Sequence, residues 1–182
     1  MRTSFIAALG AVLMLAACAS GARPERIVAT NVVQFDAGDP MHASMSVEQA
    51  QGGSETNPMW MSNLSNESFR AGLEASLRNA GLLADGSPRF HVVANLQNVD
   101  RPMAGFDMTV TTTVRYTVTP VDGGAPIFDD VVSASGTAHM GDAFMGTERL
   151  QMAIEASARE NITEFIRRLR ARVPAGSVSP VS

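Results

Sequence analysis

The chain has 182 residues, a length that suits a single domain. Its 14 basic residues are all arginine, and the 18 acidic residues give a formal net charge of −4, so nucleic acid is not expected as a partner. Because lysine is absent, the chain has neither a Schiff-base lysine nor a phosphate-loop lysine. One Trp and one Tyr provide little material for a stacking platform for sugars or bases.

The first 17 residues predict an export signal. Arg2 gives a positive start, residues 5–15 form an apolar run, and the small residues 15–17 precede Cys18. The run is shorter than the roughly 20 apolar residues that a membrane-spanning helix needs. The sequence Leu-Ala-Ala-Cys at 15–18 resembles the lipobox of bacterial lipoproteins. This resemblance implies cleavage before Cys18 and acylation of that cysteine.

The alternative is an ordinary signal peptide followed by an incidental cysteine. Cys18 is the only cysteine of the chain, so it cannot form an internal disulfide, whereas lipidation would account for it. We therefore predict a lipidated tether over residues 18–25. Because Ala19 rather than Asp follows, the resemblance implies sorting to the periplasmic face of the outer membrane, in preference to the inner membrane. Removal of residues 1–17 leaves 165 residues with 13 Arg and 18 acids, a charge of −5.

One periplasmic domain is predicted over residues 26–173. The β-branched residues of 26–35 favour a first strand. Residues 36–62 are polar and rich in Gly, Ser and Met, and a loop of this length is usually functional or disordered. A helix is expected over 67–80, with Ser65 or Asn66 as its N-cap and Gly81 at its left-handed exit.

The middle of the domain predicts antiparallel strands. Residues 90–97 alternate apolar and polar side chains. Residues 107–119 do so without interruption, with threonine on the solvent side, which is typical of a strand with one buried face. After a turn at 120–126, residues 127–139 are expected to pair with this strand. Asp129 and Asp130 break their alternation, which indicates a bulge or a late strand start.

A long C-terminal helix is predicted over 147–172. Thr147 is its expected cap, Glu164 and Arg168 form a favourable i,i+4 pair, and 174–182 is expected to be a disordered tail. The order is therefore β-α-β-β-β-α. It predicts an α+β two-layer sandwich, with a roughly four-stranded, mainly antiparallel sheet covered on one face by two helices.

No motif in the chain indicates catalysis, and we predict no enzyme, no cofactor and no metal site. His42, His91 and His139 lack metal-ligand spacing, and no Gly-x-Ser-x-Gly sequence is present. The thioethers of Met59 and Met61 could hold Cu(I), although methionine more often serves as adaptable packing or a binding surface. Four arginines within 167–172 either contact anionic head groups or complement the negative end of the helix dipole.

The pattern of the mature domain resembles small envelope lipoproteins of the lipopolysaccharide-assembly and ABC-transport auxiliary type. The resemblance rests on three stretches: the helix with Phe69, Leu73 and Leu77 before Gly81-Leu82, the strands that flank Asp100-Arg101-Pro102, and the terminal helix with Ala153-Ile154-Glu155 and Glu160-Asn161-Ile162. It implies a membrane-held protein without catalytic residues that binds a larger envelope protein partner.

The leading functional hypothesis is therefore a non-enzymatic accessory or assembly subunit of an envelope complex, bound to the membrane through Cys18. A lipid or small-ligand carrier is the alternative, and an uncharacterised enzyme is the third. Two loops, 36–62 and 99–106, are the predicted partner contacts, because loops on a rigid scaffold commonly carry function. Their candidate contact residues are Met59, Trp60, Met61, Arg101, Met103 and Phe106.

Overall fold

The computed structural model describes residues 21–53, 63–102 and 105–173. In chain order the elements are α1 (Pro24–Ile27), β1 (Met45–Val47), α2 (Asn66–Asn79), β2 (Phe90–Asp100), β3 (Met108–Pro120), β4 (Phe128–Ala138) and α3 (Gly146–Arg172). The four strands form one sheet in the order β1-β2-β3-β4. Strand β1 is parallel to β2, and the other pairs are antiparallel. The predicted α+β fold with a four-stranded sheet is confirmed.

The predicted first strand is wrong. Residues 26–35 form no strand; the first strand is instead β1, which lies inside the predicted loop 36–62. The backbone of residue Ala29 bonds to side chains of α2: its N–H donates to Oγ of Ser76 at 2.9 Å, and its carbonyl accepts from Asn79. Ile27, Ala29 and Phe35 of this segment are buried, and the side chains of α2, rather than a neighbouring strand, bond the backbone of Ala29.

Close contact between α1 and α2 depends on a glycine. A Cβ at Gly72 would lie 2.6 Å from Cγ2 of Ile27, whose side chain is fully buried. The predicted tether is also shorter than expected at its C-terminal end, since Ala22 is buried and α1 begins at Pro24. Residues 18–20 lie outside the described part of the chain.

The sequence placed α2 and the left-handed exit accurately. Ser65 is the N-cap, and its Oγ accepts a hydrogen bond from the N–H of Ser68 at 3.1 Å. Gly81 has a φ of +75°, a conformation that glycine adopts without steric cost. Both signals are local, which is why they could be recognised without knowledge of the fold.

The core between β3 and α3 contains a polar layer. The stacked rings of Tyr116 and Phe165 have centroids 4.0 Å apart. The Tyr116 hydroxyl donates to Oδ1 of Asn161 at 2.9 Å, and Nδ2 of Asn161 donates to the carbonyls of Thr112 and Val132. Burial raises the pKa of Tyr116 well above its ordinary value, so the phenol stays protonated and keeps donating.

The opposite face of the sheet bears hydroxyl groups, as the threonine alternation predicted. The hydroxyl oxygens of Thr109 and Thr137 lie 2.9 Å apart across β3 and β4, and those of Thr111 and Ser135 lie 2.8 Å apart.

The bulge expected at Asp129 and Asp130 is not found there. Pairing is regular through residues 129–130, and the bulge lies in β2 between Leu96 and Asn98.

The two aspartates of β4 point to opposite sides of the sheet. Asp129 bonds Arg115 on the hydroxyl face, whereas Asp130 pairs with Arg168 of α3. An ion pair with α3 therefore allows a carboxylate to occupy an inward position of the edge strand.

The predicted cap of α3 is wrong. Helix α3 begins at Gly146, so Thr147 lies inside its first turn.

Candidate functional site

Two loops meet at one end of the sheet. The first joins β2 to β3, and the second joins β4 to α3. Because Met108 at the start of β3 pairs with Ala138 at the end of β4, both loops project from the same edge. We call the surface formed by residues 101–102, 105–107 and 139–145 the tip. Of the two loops predicted to contact a partner, 99–106 contributes its described residues to the tip, whereas the described part of 36–62 contains β1. The tip also includes the loop from β4 to α3, which the sequence had not indicated.

Large apolar side chains are concentrated on the tip. Phe144 is 100% exposed, Phe106 is 76% exposed, Met140 is 60% exposed and Met145 is 51% exposed. Elsewhere in the described residues, the exposed large apolar side chains are three valines at 33, 121 and 131. Single exposed apolar residues are ordinary on protein surfaces, whereas a contiguous group marks a site of interaction.

The loop that displays Phe144 is held by hydrogen bonds. The Asp107 carboxylate accepts from the Met140 N–H at 3.0 Å and lies 3.1 Å from Nδ1 of His139. Asp142 accepts from the His139 N–H at 2.7 Å. Nη1 of Arg149 donates to the carbonyl of Phe144 at 3.1 Å and to that of the preceding residue at 2.7 Å. The exposed phenylalanine thus sits on an organised loop.

The same contacts shift two pKa values on the tip. The hydrogen bond with Asp107, followed by its charge, raises the pKa of His139 above 6.5. The hydrogen bond with His139, followed by that with the Met140 N–H, lowers the pKa of Asp107 below 3.8. Both side chains are exposed to solvent, so the pair organises the loop more than it stabilises the domain.

A small cavity adjoins the tip at the β2 bulge. Its volume is about 190 Å³, below the roughly 300–1,000 Å³ of ordinary small-molecule sites. The guanidinium of Arg101, a predicted contact residue, lines it and donates to Oδ1 of Asn63. The other lining residues are Gly52, Gly53, Asn63, Leu64, Leu96, Gln97, Asn98 and Val99.

The described chain enters the domain beside the tip. The Ala22 N–H donates to the carbonyl of Asn63 at 3.0 Å, and the Gly21 carbonyl accepts from the Gln151 side chain at 2.9 Å. Arg23 donates its backbone N–H and its Nε to the buried Glu155, each at 3.0 Å. The entry is therefore fixed on the first turns of α3.

The structure describes two of the six predicted contact residues. Arg101 and Phe106 both lie at the tip, one bonded beside the cavity and the other exposed. Cys18, Met59, Trp60, Met61 and Met103 lie outside the described residues. Met140, Phe144 and Met145 had not been predicted from the sequence. Their signal was an apolar pair, Phe144-Met145, placed in a predicted loop and off the apolar stripe of α3.

The histidines make separate contacts. Ser46 Oγ at 2.8 Å and Glu48 Oε1 at 3.0 Å both approach Nδ1 of His91, on the half-exposed edge of the sheet. A serine nucleophile and its orienting carboxylate must instead use the two different ring nitrogens. Nδ1 of His42 lies 2.7 Å from the Phe35 carbonyl. Within 21–53, 63–102 and 105–173, no three His, Cys, Asp or Glu side chains are grouped as a metal site would require.

The arginines at the end of α3 are bonded to carboxylates of the domain. Arg167 and Arg168 both bond Glu164, and these hydrogen bonds lower the pKa of Glu164 to about 2. Arg172 reaches Asp130, while Arg170 donates to Asp39. Of the two interpretations of this cluster, the contacts favour a structural role at the helix end.

No protein-family profile matches the sequence, and no curated protein sequence matches it. Solved structures do match its fold. XCC0632 from Xanthomonas campestris, of the DUF330 family, aligns with 78% of this chain and 91% of its own, with a TM-score of 0.56 and 8% identity. The hypothetical protein CT253 from Chlamydia trachomatis aligns with 73% of this chain and 98% of its own, with a TM-score of 0.54 and 11% identity. A candidate lipoprotein from Caulobacter crescentus aligns with 72% of this chain and 91% of its own, with a TM-score of 0.52 and 12% identity. At these identities the similarity shows the α+β fold alone. Among the described helices, none is both long enough and apolar enough to cross a membrane.

Proposed function

We propose that this protein is a periplasmic lipoprotein, bound to the outer membrane through lipid on Cys18, that acts as a non-enzymatic accessory or assembly subunit of an envelope complex. The observation that carries the proposal is how soon the chain joins the domain after the lipobox cysteine. Ala22 is already buried and bonded to Asn63. Ala22 is the fourth residue after Cys18, so the cysteine lies within about 14 Å of it.

Such a short connection holds the domain at the bilayer surface. A long linker would let the module search the periplasm, whereas this one restricts it to partners that are themselves at the membrane. The Caulobacter crescentus structure with the same fold is described as a candidate lipoprotein, which supports the class of protein proposed.

The contacts of the core favour an accessory subunit over a lipid carrier. A carrier would need an apolar chamber between the sheet and the helices. At the centre of that layer, Tyr116 stacks on Phe165 and the bonds of Asn161 join α3 to β3 and β4. An acyl chain could enter there only by breaking this packing. The arrangement of Ser46, Glu48 and His91 around one ring nitrogen likewise favours a binding role over hydrolysis.

The anchor is tested by comparing the native chain with a form in which residues 1–18 are replaced by a secretion signal that is cleaved without lipidation. Both are expressed in a Gram-negative host. We expect mass spectrometry to find an acylated Cys18 in the native protein, and fractionation to place it in outer membranes while the replaced form is soluble in the periplasm. An unmodified Cys18 would contradict the proposal.

The accessory role is tested by crosslinking in cells, followed by purification from detergent-solubilised envelopes. We expect one envelope protein to be recovered in stoichiometric amounts with the lipidated form and in far smaller amounts with the secreted form. Recovery of the lipidated protein alone, with bound lipid detected by native mass spectrometry, would favour the carrier alternative instead.

A further inference from the structure

The tip and the point of chain entry lie at the same end of the molecule. Gln151, which bonds the Gly21 carbonyl, is six residues after Met145 on the same helix, an axial distance of about 9 Å. Independently, Asn63 bonds the Ala22 N–H through its backbone carbonyl and Arg101 through its side chain. Helix α3 and the end of β2 therefore both place the entry beside the tip.

Covalent geometry places the anchoring cysteine within reach of the same end. Cys18 precedes Gly21 by three residues, a span of at most about 11 Å. If Cys18 carries lipid, as the proposed function requires, the bilayer surface must lie near the chain entry and near the four exposed side chains of the tip. The arginine-rich end of α3 is about 40 Å away along the helix, too far to touch the same bilayer surface through this short connection.

We propose that the tip is a second membrane contact, in which Phe106, Met140, Phe144 and Met145 insert into the lipid interface beside the acylated cysteine. Phenylalanine and methionine are apolar enough to enter the boundary between head groups and acyl chains. The hydrogen bonds of Asp107 and Arg149 hold the second loop in place, so little order has to be gained on insertion. Lipid anchor and tip together fix the orientation of the domain, with the long axis of α3 rising away from the bilayer.

The chemistry of the tip commits it to a lipid surface through apolar contact. Its acidic side chains, Asp107 and Asp142, accept hydrogen bonds from the loop itself. The tip also carries Arg101, which donates to Asn63, and His139, which bonds Asp107. Its charges are therefore of both signs and offer little net attraction to anionic head groups. Insertion is therefore expected to be similar in neutral and anionic vesicles and to change little with salt.

The experiment uses the single-cysteine character of the chain. Because acylation occupies Cys18, a cysteine introduced elsewhere can be labelled alone with an environment-sensitive nitrobenzoxadiazole fluorophore. The lipidated mature protein is labelled at Met140→Cys on the tip or at Val121→Cys in the β3–β4 turn at the other end of the sheet. Val121 is itself 43% exposed, which makes it a matched control. Both proteins are reconstituted on vesicles of phosphatidylethanolamine and phosphatidylglycerol.

We expect the label at position 140 to shift to shorter wavelength and to be quenched by lipids with spin-labelled acyl chains, while the label at 121 stays in water. If both labels stay in water although the protein floats with the vesicles, the tip proposal is overturned and the lipid anchor stands. If the label at 140 responds only to added envelope proteins, the tip is a protein contact and the membrane proposal is again overturned.

A second measurement does not depend on lipidation. The full mature chain, secreted without lipid, is mixed with the same vesicles and compared with the Phe106→Ser/Phe144→Ser double variant. The partition coefficient is expected to fall at least about tenfold, because two large apolar side chains no longer leave water. A Val33→Ser/Val121→Ser variant serves as the control, and its partition is expected to be unchanged. Equal partition of all three proteins would overturn the proposal.

Discussion

Phe165 and Phe144 are the same residue type in opposite environments. Phe165 is fully buried and stacked on Tyr116, whereas Phe144 is wholly exposed on a loop held by hydrogen bonds. The interior layer around Phe165 stabilises the fold, whereas the Phe144 side chain stays in water and buries no apolar surface when the protein folds. A surface that exposes its largest apolar groups in this ordered way is fitted to another surface, which is the basis of the membrane contact proposed above.

The largest effect is expected for Phe165→Ala. Removing a fully buried aromatic ring from the core should lower the free energy of unfolding by about 3–5 kcal/mol. Phe144→Ala is the matched control and should change it by less than about 0.5 kcal/mol. Urea unfolding followed by circular dichroism measures both. A destabilised Phe144→Ala protein would show that the tip belongs to the core.

Asn161→Ala tests the polar part of the interior layer. The substitution leaves the Tyr116 hydroxyl and the carbonyls of Thr112 and Val132 without the partner they now have. We expect a loss of about 2–4 kcal/mol in the free energy of unfolding. Tyr116→Phe, which removes one of these bonds, should cost less, and the double variant should be less destabilised than the sum. Strict additivity would argue against a connected layer.

The two long helices extend the comparison to their starts. Helix α2 begins with a side-chain cap from Ser65, while α3 begins at the tip without one. Ser65→Ala should therefore cost about 1 kcal/mol of stability. Thr147→Ala, at the position where the sequence predicted a cap, should be close to neutral. Equal effects in thermal unfolding would show that the first turns of the two helices are stabilised alike.

The smallest effect concerns titration of the tip. The raised pKa of His139 favours the folded loop below pH 6.5, and this contribution is lost as the pH rises through the raised value. The lowered pKa of Asp107 favours it above pH 3.8, and that contribution is lost as the pH falls through the lowered value. The pair is therefore strongest between about pH 4 and 6.5.

Nuclear magnetic resonance titration should find the pKa of His139 above its ordinary value. Asp107→Asn should return that pKa most of the way, and Asp142→Asn should lower it less, since the charge of Asp142 is a minor cause of the shift. The protection of the Met140 amide against hydrogen exchange should be highest within the same pH window. An unchanged His139 pKa in Asp107→Asn would show that the loop is held by other contacts.

Much of this protein is determined by signals that span only a few residues. The uninterrupted alternation of 107–119 defined β3 and its buried face, and the Ser65 cap and Gly81 marked the ends of α2. Each of these patterns reflects the geometry of one element, a period of two or 3.6 residues or a left-handed exit, so it can be recognised from a short stretch of chain.

Three features were decided only by the tertiary structure. Residues 26–35 have the composition of a strand, yet the backbone of Ala29 bonds to side chains of α2 and the Phe35 N–H donates to the carbonyl of Ala80. The alternation of β4 places Asp130 on the helix side of the sheet, and only the tertiary structure brings Arg168, 38 residues later, to pair with its charge. The tip exists because the antiparallel pairing of Met108 with Ala138 places the loop before β3 and the loop after β4 at the same end of the sheet. Only that pairing reveals that Phe106 and Phe144 are exposed at the same end of the molecule. Side-chain periodicity is a local property, whereas the choice of partner depends on contacts between residues far apart in the chain, and those contacts require the folded protein.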